Sequence, residues 1–289
     1  MQWPNYTEGL RELISHYDAF IVDQWGVIHE GKQFYPGAVE TFERLKEANK
    51  PAIILTNSRK RASRNVERLT HMGLPPDLYT GLVSSAEILR DLLISQSFPP
   101  WNSLGDKVYI VAVDEDYALI QGTQYKSVPS IEQADFVLLL STTEDIPDSA
   151  HDHWLNVAAK RNLPVFSSSA DPLTVSPRGV FSGLAGIADA FTKIGGTVIN
   201  IGKPDAIIYY PCLRLLPRIN RSRVLAIGDQ FASDVIGAKR LGFHAALVMT
   251  GAGEITFRNA HTIQEVTAVA QGLSLDQLSV DWILPRLQW

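Results

Sequence analysis

Six residues at four points of the chain could act together on one anion. Asp23 follows the apolar run "AFIV", Thr56 and Asn57 close "AIILTN", Lys203 stands in "INIGKPD", and Asp229 and Asp234 lie in "LAIGDQFASD". Taken singly, an Asp or Thr after an apolar run is commonly a turn former or a helix N-cap, and a lone lysine a solvated surface group. Together, carboxylates, a lysine and a hydroxyl are the parts needed to hold Mg²⁺ beside a phosphoryl group. Magnesium is a hard ion that takes oxygen ligands and keeps part of its water; a phosphoryl group needs positive charge and donors around its equatorial oxygens. Two residues after Asp23 comes Trp25, whose indole has no acid or base near neutral pH and offers only an N–H donor.

For these residues to meet, the runs before them must be strands whose carboxyl ends lie side by side. The chain reads that way. "DAFIVD" is followed by helical spacing from Ala38 to Ala48, and "PAIILTN" by a basic helical stretch from Lys60 to Met72 that Gly73 ends. Later, "TVINIG", "RVLAIG" and "HAALVM" are short runs rich in β-branched and small apolar residues, with a helical pattern from Ser233 to Leu241. Continuous apolar strands are those buried on both faces, so the expected product is α/β: a Rossmann-like parallel sheet with helices on both faces. Between Gly81 and Ser182 the alternation repeats with its own strands at "KVYIVAV", "ADFVLLL" and "LPVFSSS". This predicts a core made of residues 1–80 and 183–289, interrupted by an inserted α/β unit over residues 81–182.

Composition sets outer limits. The chain has 289 residues, with 26 basic against 31 acidic ones and a formal charge of -5, which leaves no broad electrostatic footprint for nucleic acid or an anionic membrane. Any anion must be held locally. Cys212 is the single cysteine, so no internal disulfide forms; a reducing compartment and an inert buried thiol both fit. No apolar run is long enough to span a bilayer and the N-terminus lacks the pattern of a signal peptide, which gives cytoplasmic as the expected location.

The motifs "VDQWGVIHEG…PGAVETFERLK", "ILTNS", "IGKPDAIIY" and "AIGDQFASDVIGAKRLGF" resemble, in order and spacing, those of the haloacid dehalogenase-like hydrolase superfamily. The likeness is to its class IIA branch of 4-nitrophenyl, pyridoxal and phosphoglycolate phosphatases. The resemblance implies a cap over the active site and a role for each motif residue. Asp23 becomes the nucleophile that takes up the phosphoryl group, and Asp229 binds Mg²⁺ together with Asp23 and the backbone carbonyl of Trp25. Asp234 orients the metal's ligands from behind. Thr56 and the backbone N–H of Asn57 hold a phosphate oxygen, and Lys203 pairs with the nucleophile and the phosphoryl group. In the cap, "SSADP" takes the place of an Asn-Pro-Asp turn, so Asp171 becomes a substrate contact and Ser169 stands where Asn is usual.

Phosphatases of this superfamily carry a second Asp where this chain has Trp25, and that Asp protonates the leaving oxygen and then activates water. Its loss removes an effect of roughly 10² to 10⁴ in rate, leaving metal and phosphate capture in place. The expected activity is therefore a slowed Mg²⁺-dependent phosphohydrolase of a small phosphorylated metabolite, with His29 and Glu30 the nearest candidates for a substitute acid. Two alternatives stay open: a phosphometabolite-binding protein with little turnover, and dehalogenase-like chemistry, which needs no proton on its leaving group. In "RKRASR", Arg59 is placed to reach an anionic substrate. The two histidines of "HDHW" at 151–154 do not share a helical face, so no metal site is expected there. The C-terminal "DWILPRLQW" reads as packing, with a homo-oligomeric contact open.

Overall fold

The computed structural model of the protein describes residues 4–112, 117–142, 148–216 and 218–289. Two parallel sheets organise it. The larger has seven strands in the order Asn5–Tyr6, Trp282–Leu284, His244–Val248, Val224–Gly228, Ala19–Val22, Ala52–Thr56 and Gly81–Ser84. Its central strands are buried along their whole length, as the unbroken apolar runs require. One face packs on the helix Ala38–Glu47 through Phe42 and Leu45; the other packs on Tyr209, Cys212 and Phe243. Cys212 is fully buried, and burial pushes its thiol up to about 12. It is an inert core residue.

Register brings the chemistry to one edge. Val22 is level with Ile227 on one side and Ile54 on the other, so Asp23 emerges beside Gly228 and Leu55, one residue short of Asp229 and Thr56. The Asp23 N–H donates to the Ile227 carbonyl at 2.9 Å and continues the ladder past the strand's end.

The second sheet has five parallel strands in the order Lys126–Ser127, Lys107–Val111, Phe136–Leu139, Val165–Ser167 and Val198–Asn200. Val113, the last residue of the run "KVYIVAV", lies outside the described residues. The helix Ser85–Ser95 covers one face through Leu89 and Leu93, while Asp152–Lys160 and Leu184–Lys193 cover the other. An antiparallel hairpin, Leu173–Ser176 with Gly179–Ser182, hangs from this unit.

Both expected boundaries move. Gly81–Ser84 pairs with Ala52–Thr56 in the larger sheet, so the chain leaves the core after residue 84 and not after 80. Val198–Asn200 pairs with Val165–Ser167, and Leu184, Ile187 and Phe191 pack on Trp154 and Leu139. The second unit thus runs past 182 to about residue 200. An apolar run shows that a strand forms; which sheet it joins depends on long-range pairing that periodicity does not encode. "DWILPRLQW" supplies an interior strand of the larger sheet and buries Leu284 and Leu287. His151 accepts a hydrogen bond from the Trp154 indole, while His153 meets Glu132, so the two histidines go separate ways. Among the described residues no helix is long and apolar enough to cross a membrane.

Candidate active site

The carboxyl edge of the larger sheet carries a buried charge cluster. Lys203 Nζ lies 2.7 Å from Asp23 Oδ1 and 2.6 Å from Asp234 Oδ1, and its side chain is 3% exposed. Burial works against the ammonium, but the two carboxylates beside it outweigh that and hold Lys203 well above its ordinary value. Lys203 does not follow a strand of the larger sheet, as its motif suggested. It sits on the segment returning from Val198–Asn200 of the second unit, and Asn57 fixes it: the Lys203 N–H donates to Asn57 Oδ1 at 2.7 Å, and Asn57 Nδ2 donates to the Lys203 carbonyl at 3.2 Å. A Cβ on Gly202 would come within 2.4 Å of Asn57 Oδ1, so only glycine lets the two segments approach this closely.

Carboxylate oxygens of Asp23, Asp229 and Asp234 lie within 4.8 Å of one another, and all three residues are buried. Asp229 Oδ2 accepts the Ala252 N–H at 2.8 Å, but its buried Oδ1 has no hydrogen-bond partner among the described residues. Asp234 is engaged twice, by Lys203 and by the Gln230 N–H. Burial pushes Asp23 up to about 7; the Lys203 charge pulls it down and the Asp234 charge adds to the rise. Asp229 is raised well above its ordinary value by burial first and then by the Asp23 and Asp234 charges. A buried carboxylate oxygen left without a donor, among carboxylates that burial and repulsion push toward protonation, suits a hard divalent cation. The loop after Asp23 closes against this group. Gly26, at φ +83°, lies so near that a Cβ would fall 1.9 Å from Asp229 Oδ2.

Above the cluster opens a cavity of about 340 Å³ between the two units. Asp23, Thr56 and Asn57 form its core side, whereas Lys203, Asp229 and Asp234 stand behind them and do not line it. The Thr56 hydroxyl accepts the Ser58 N–H at 3.2 Å, which curls the loop back under the cavity. Asp171 enters from the second unit, where its Oδ2 accepts from Ser169 Oγ at 2.8 Å and from Asn57 Nδ2 at 3.0 Å. Ser169, in the usual asparagine position, thus braces Asp171. The cavity edge carries Arg59, Lys60 and Arg68; Leu140, Leu173, Val175 and Leu184 make an apolar wall.

Trp25 lines the cavity beside Asp23. Its ring meets His29 edge-on, with centroids 4.6 Å apart, and carries the Arg68 guanidinium 4.9 Å from its centroid. Neither substitute acid reaches the substrate space. His29 is fully buried and outside the cavity lining, and burial, then the Arg68 charge, lowers it to about 3, so it holds no proton to give at neutral pH. The Glu30 carboxylate accepts the N–H groups of Lys32 and Gln33 and caps a turn.

Two residues escaped the sequence reading. Gln230 binds Leu173 of the hairpin twice, accepting from its N–H and donating to its carbonyl, both at 3.0 Å. Its position just after Asp229 marks it as a strand-end residue, but nothing local shows that it ties the two units together. Arg68 lies in the basic helical stretch from Lys60 to Met72, and nothing in that pattern sets it apart.

A family model described as haloacid dehalogenase-like hydrolase matches residues 20–126, and a second, HAD-hydrolase-like, matches residues 200–274. The chain belongs to the haloacid dehalogenase-like hydrolases. The matched stretches of this hydrolase contain Asp23, Thr56, Asn57, Lys203, Asp229 and Asp234, and the first runs on into the second unit. Curated relatives include the 5'-nucleotidase YutF of Bacillus subtilis, 24% identical over 238 residues, which are 81% of this chain and 88% of the relative. Chronophin of Mus musculus is 23% identical over 261 residues, 87% of each chain. The crystal structure of a haloacid dehalogenase-like hydrolase from Brucella suis 1330 superposes with a TM-score of 0.80 at 24% identity, covering 97% of this chain and 99% of that one.

Proposed function

We propose that this hydrolase is a Mg²⁺-dependent phosphohydrolase of a small phosphorylated metabolite that works through an aspartyl phosphate on Asp23 and is slowed by Trp25. The observation that carries the reading is the placement of Asp23. It is the one member of the buried charge cluster that also faces the cavity, with Lys203 2.7 Å behind it. Asp23, Asp229 and the backbone carbonyl of Trp25 would hold Mg²⁺, and Asp234 would keep Lys203 and the Gln230 loop in place. The bound ion supplies charge neutralisation at the phosphoryl oxygens. Lys203 offsets the repulsion between an anionic nucleophile and an anionic substrate, and Thr56 with the Asn57 N–H receives a phosphoryl oxygen. Relatives named as a 5'-nucleotidase, chronophin and an acid sugar phosphatase support the assignment of substrate class.

Trp25 also favours a second reading, a protein that binds a phosphorylated metabolite with little turnover, because the indole neither gives nor takes a proton. Phosphate release from 4-nitrophenyl phosphate, with and without Mg²⁺, decides between them. The phosphohydrolase reading expects Mg²⁺-dependent release that Asp23→Asn abolishes in a folded protein. Undiminished release by that variant would remove Asp23 as the nucleophile; tight ligand binding without release in the wild type would select the second reading.

A further inference from the structure

The charge around the departing group is inverted at the place where this superfamily's phosphatases carry an acid. The resemblance puts a carboxyl at position 25; here the side chain is an indole with the Arg68 guanidinium stacked upon it at 4.9 Å. Arg68 spends a hydrogen bond on the Gly31 carbonyl, and a guanidinium has five N–H donors. Arg59 and Lys60 line the same cavity. Among the described residues its two carboxylates lie elsewhere: Asp23 faces Lys203, and Asp171 is tied to Ser169 and Asn57. A group displaced from phosphorus by Asp23 departs on the side away from Asp23, toward a rim that, among the described residues, offers it positive charge and no carboxylic acid.

Building on the phosphohydrolase reading, we infer that the substrate is a phosphoanhydride, a diphosphate whose departing half is itself a phosphate held by Arg68 on the face of Trp25. Such a group needs no acid, because it leaves as a stable anion. Asp23 attacks the terminal phosphorus, the bridging P–O bond breaks with its electron pair going to the departing phosphate, and the charge carried off is met by the guanidinium. For inorganic pyrophosphate the products are the aspartyl phosphate and HPO₄²⁻. Water then adds its oxygen to the aspartyl phosphorus and leaves with both hydrogens on the released phosphate, restoring the Asp23 carboxylate. A cavity of about 340 Å³ accepts a diphosphate with a small substituent. An alkyl monophosphate would have to expel an alkoxide here without the carboxylic acid that the family's phosphatases place at position 25.

The test compares inorganic pyrophosphate, 4-nitrophenyl phosphate and glycerol 3-phosphate with Mg²⁺, in the wild type and in Arg68→Gln. Arg68 is on the exposed side of the helix Ala62–Met72, so the variant keeps its fold. The expected kcat/KM for pyrophosphate exceeds that for glycerol 3-phosphate by about 10² or more, the lower end of what an absent acid withholds from the alkyl ester. Arg68→Gln lowers the pyrophosphate value at least about tenfold more than the 4-nitrophenyl phosphate value, and the loss falls on kcat, because the charge appears in the transition state. Equal losses on both substrates, or glycerol 3-phosphate cleaved as well as pyrophosphate, would overturn the inference. If 4-nitrophenyl phosphate is hydrolysed in an Asp23-dependent way and pyrophosphate is not, the anhydride assignment alone fails. If none of the three is hydrolysed, the phosphohydrolase reading fails with it.

Discussion

The floor and the rim of the cavity are built on different principles. At the floor, Asp23, Lys203, Asp229 and Asp234 are buried, each is set by a strand end or by a backbone hydrogen bond, and one ammonium stands among three carboxylates, an excess of negative charge that suits a cation. At the rim, Trp25, Arg59 and Arg68 are partly or fully exposed and come from loops and a helix surface. A buried charge tolerates almost no change because its partner is left unpaired; an exposed one can be exchanged at little structural cost. A fixed reaction site with an adjustable choice of substrate follows from that division.

Breaking the floor has the largest expected effect. Lys203→Ala leaves two buried carboxylates uncompensated and should lower the unfolding free energy by about 3–5 kcal/mol at neutral pH. In denaturant titrations the deficit should shrink at pH 5, where Asp23, pushed up to about 7 by burial, takes up a proton. A deficit equal at both pH values would mean that the lysine acts through packing alone.

Altering the rim tests the other half. Trp25→Asp restores a carboxyl beside the nucleophile and should speed alkyl phosphate turnover by about 10¹ to 10², less than the full acid/base effect because Arg68 will pair with the new carboxylate. In quenched reactions examined by intact-protein mass spectrometry, the wild type should show a slowly decaying phosphorylated fraction that this variant lacks. No phosphorylated fraction in either protein would argue against a slowed second step.

Metal addition sharpens the contrast more gently. The folded, metal-free protein holds Asp23 at about 7 against an ordinary 3.8, so between those values it binds more protons than the unfolded chain, and its stability falls as pH rises through that window. Mg²⁺ competes with those protons. It should raise the melting temperature more at pH 7.5 than at pH 5.5, by at least about 3 °C, near 1 kcal/mol for a domain of this size. An equal shift at both pH values would place the ion elsewhere. The smallest effect belongs to Gln230→Ala, which removes both bonds to Leu173 and should raise KM about threefold, near 0.7 kcal/mol, with kcat little changed.

The floor was legible in the sequence because a strand buried on both faces is an unbroken apolar run, and the polar residue that ends it stands at the sheet's carboxyl edge. Asp23, Thr56 and Asp229 were found that way. Lys203 was found by its motif and assigned to the wrong sheet, since "TVINIG" looks the same whichever neighbour it pairs with. Gln230 was invisible because a side chain that bonds the backbone of residue 173 leaves no periodic trace. His29 and Glu30 were offered in place of the missing acid on nearness in sequence; the imidazole lies behind the indole and the carboxylate caps its own turn.

The grip of Asn57 on both sides of the Lys203 peptide has a consequence for product exit. Lys203 sits where the chain crosses back from the second unit, a natural pivot for any swing of that unit away from the core. Because its N–H and carbonyl are both moored to a core loop, the pivot lies on the far side of the lysine. A swing about that point would leave the ammonium beside Asp23, so that a fresh substrate would meet an electrostatic field already assembled.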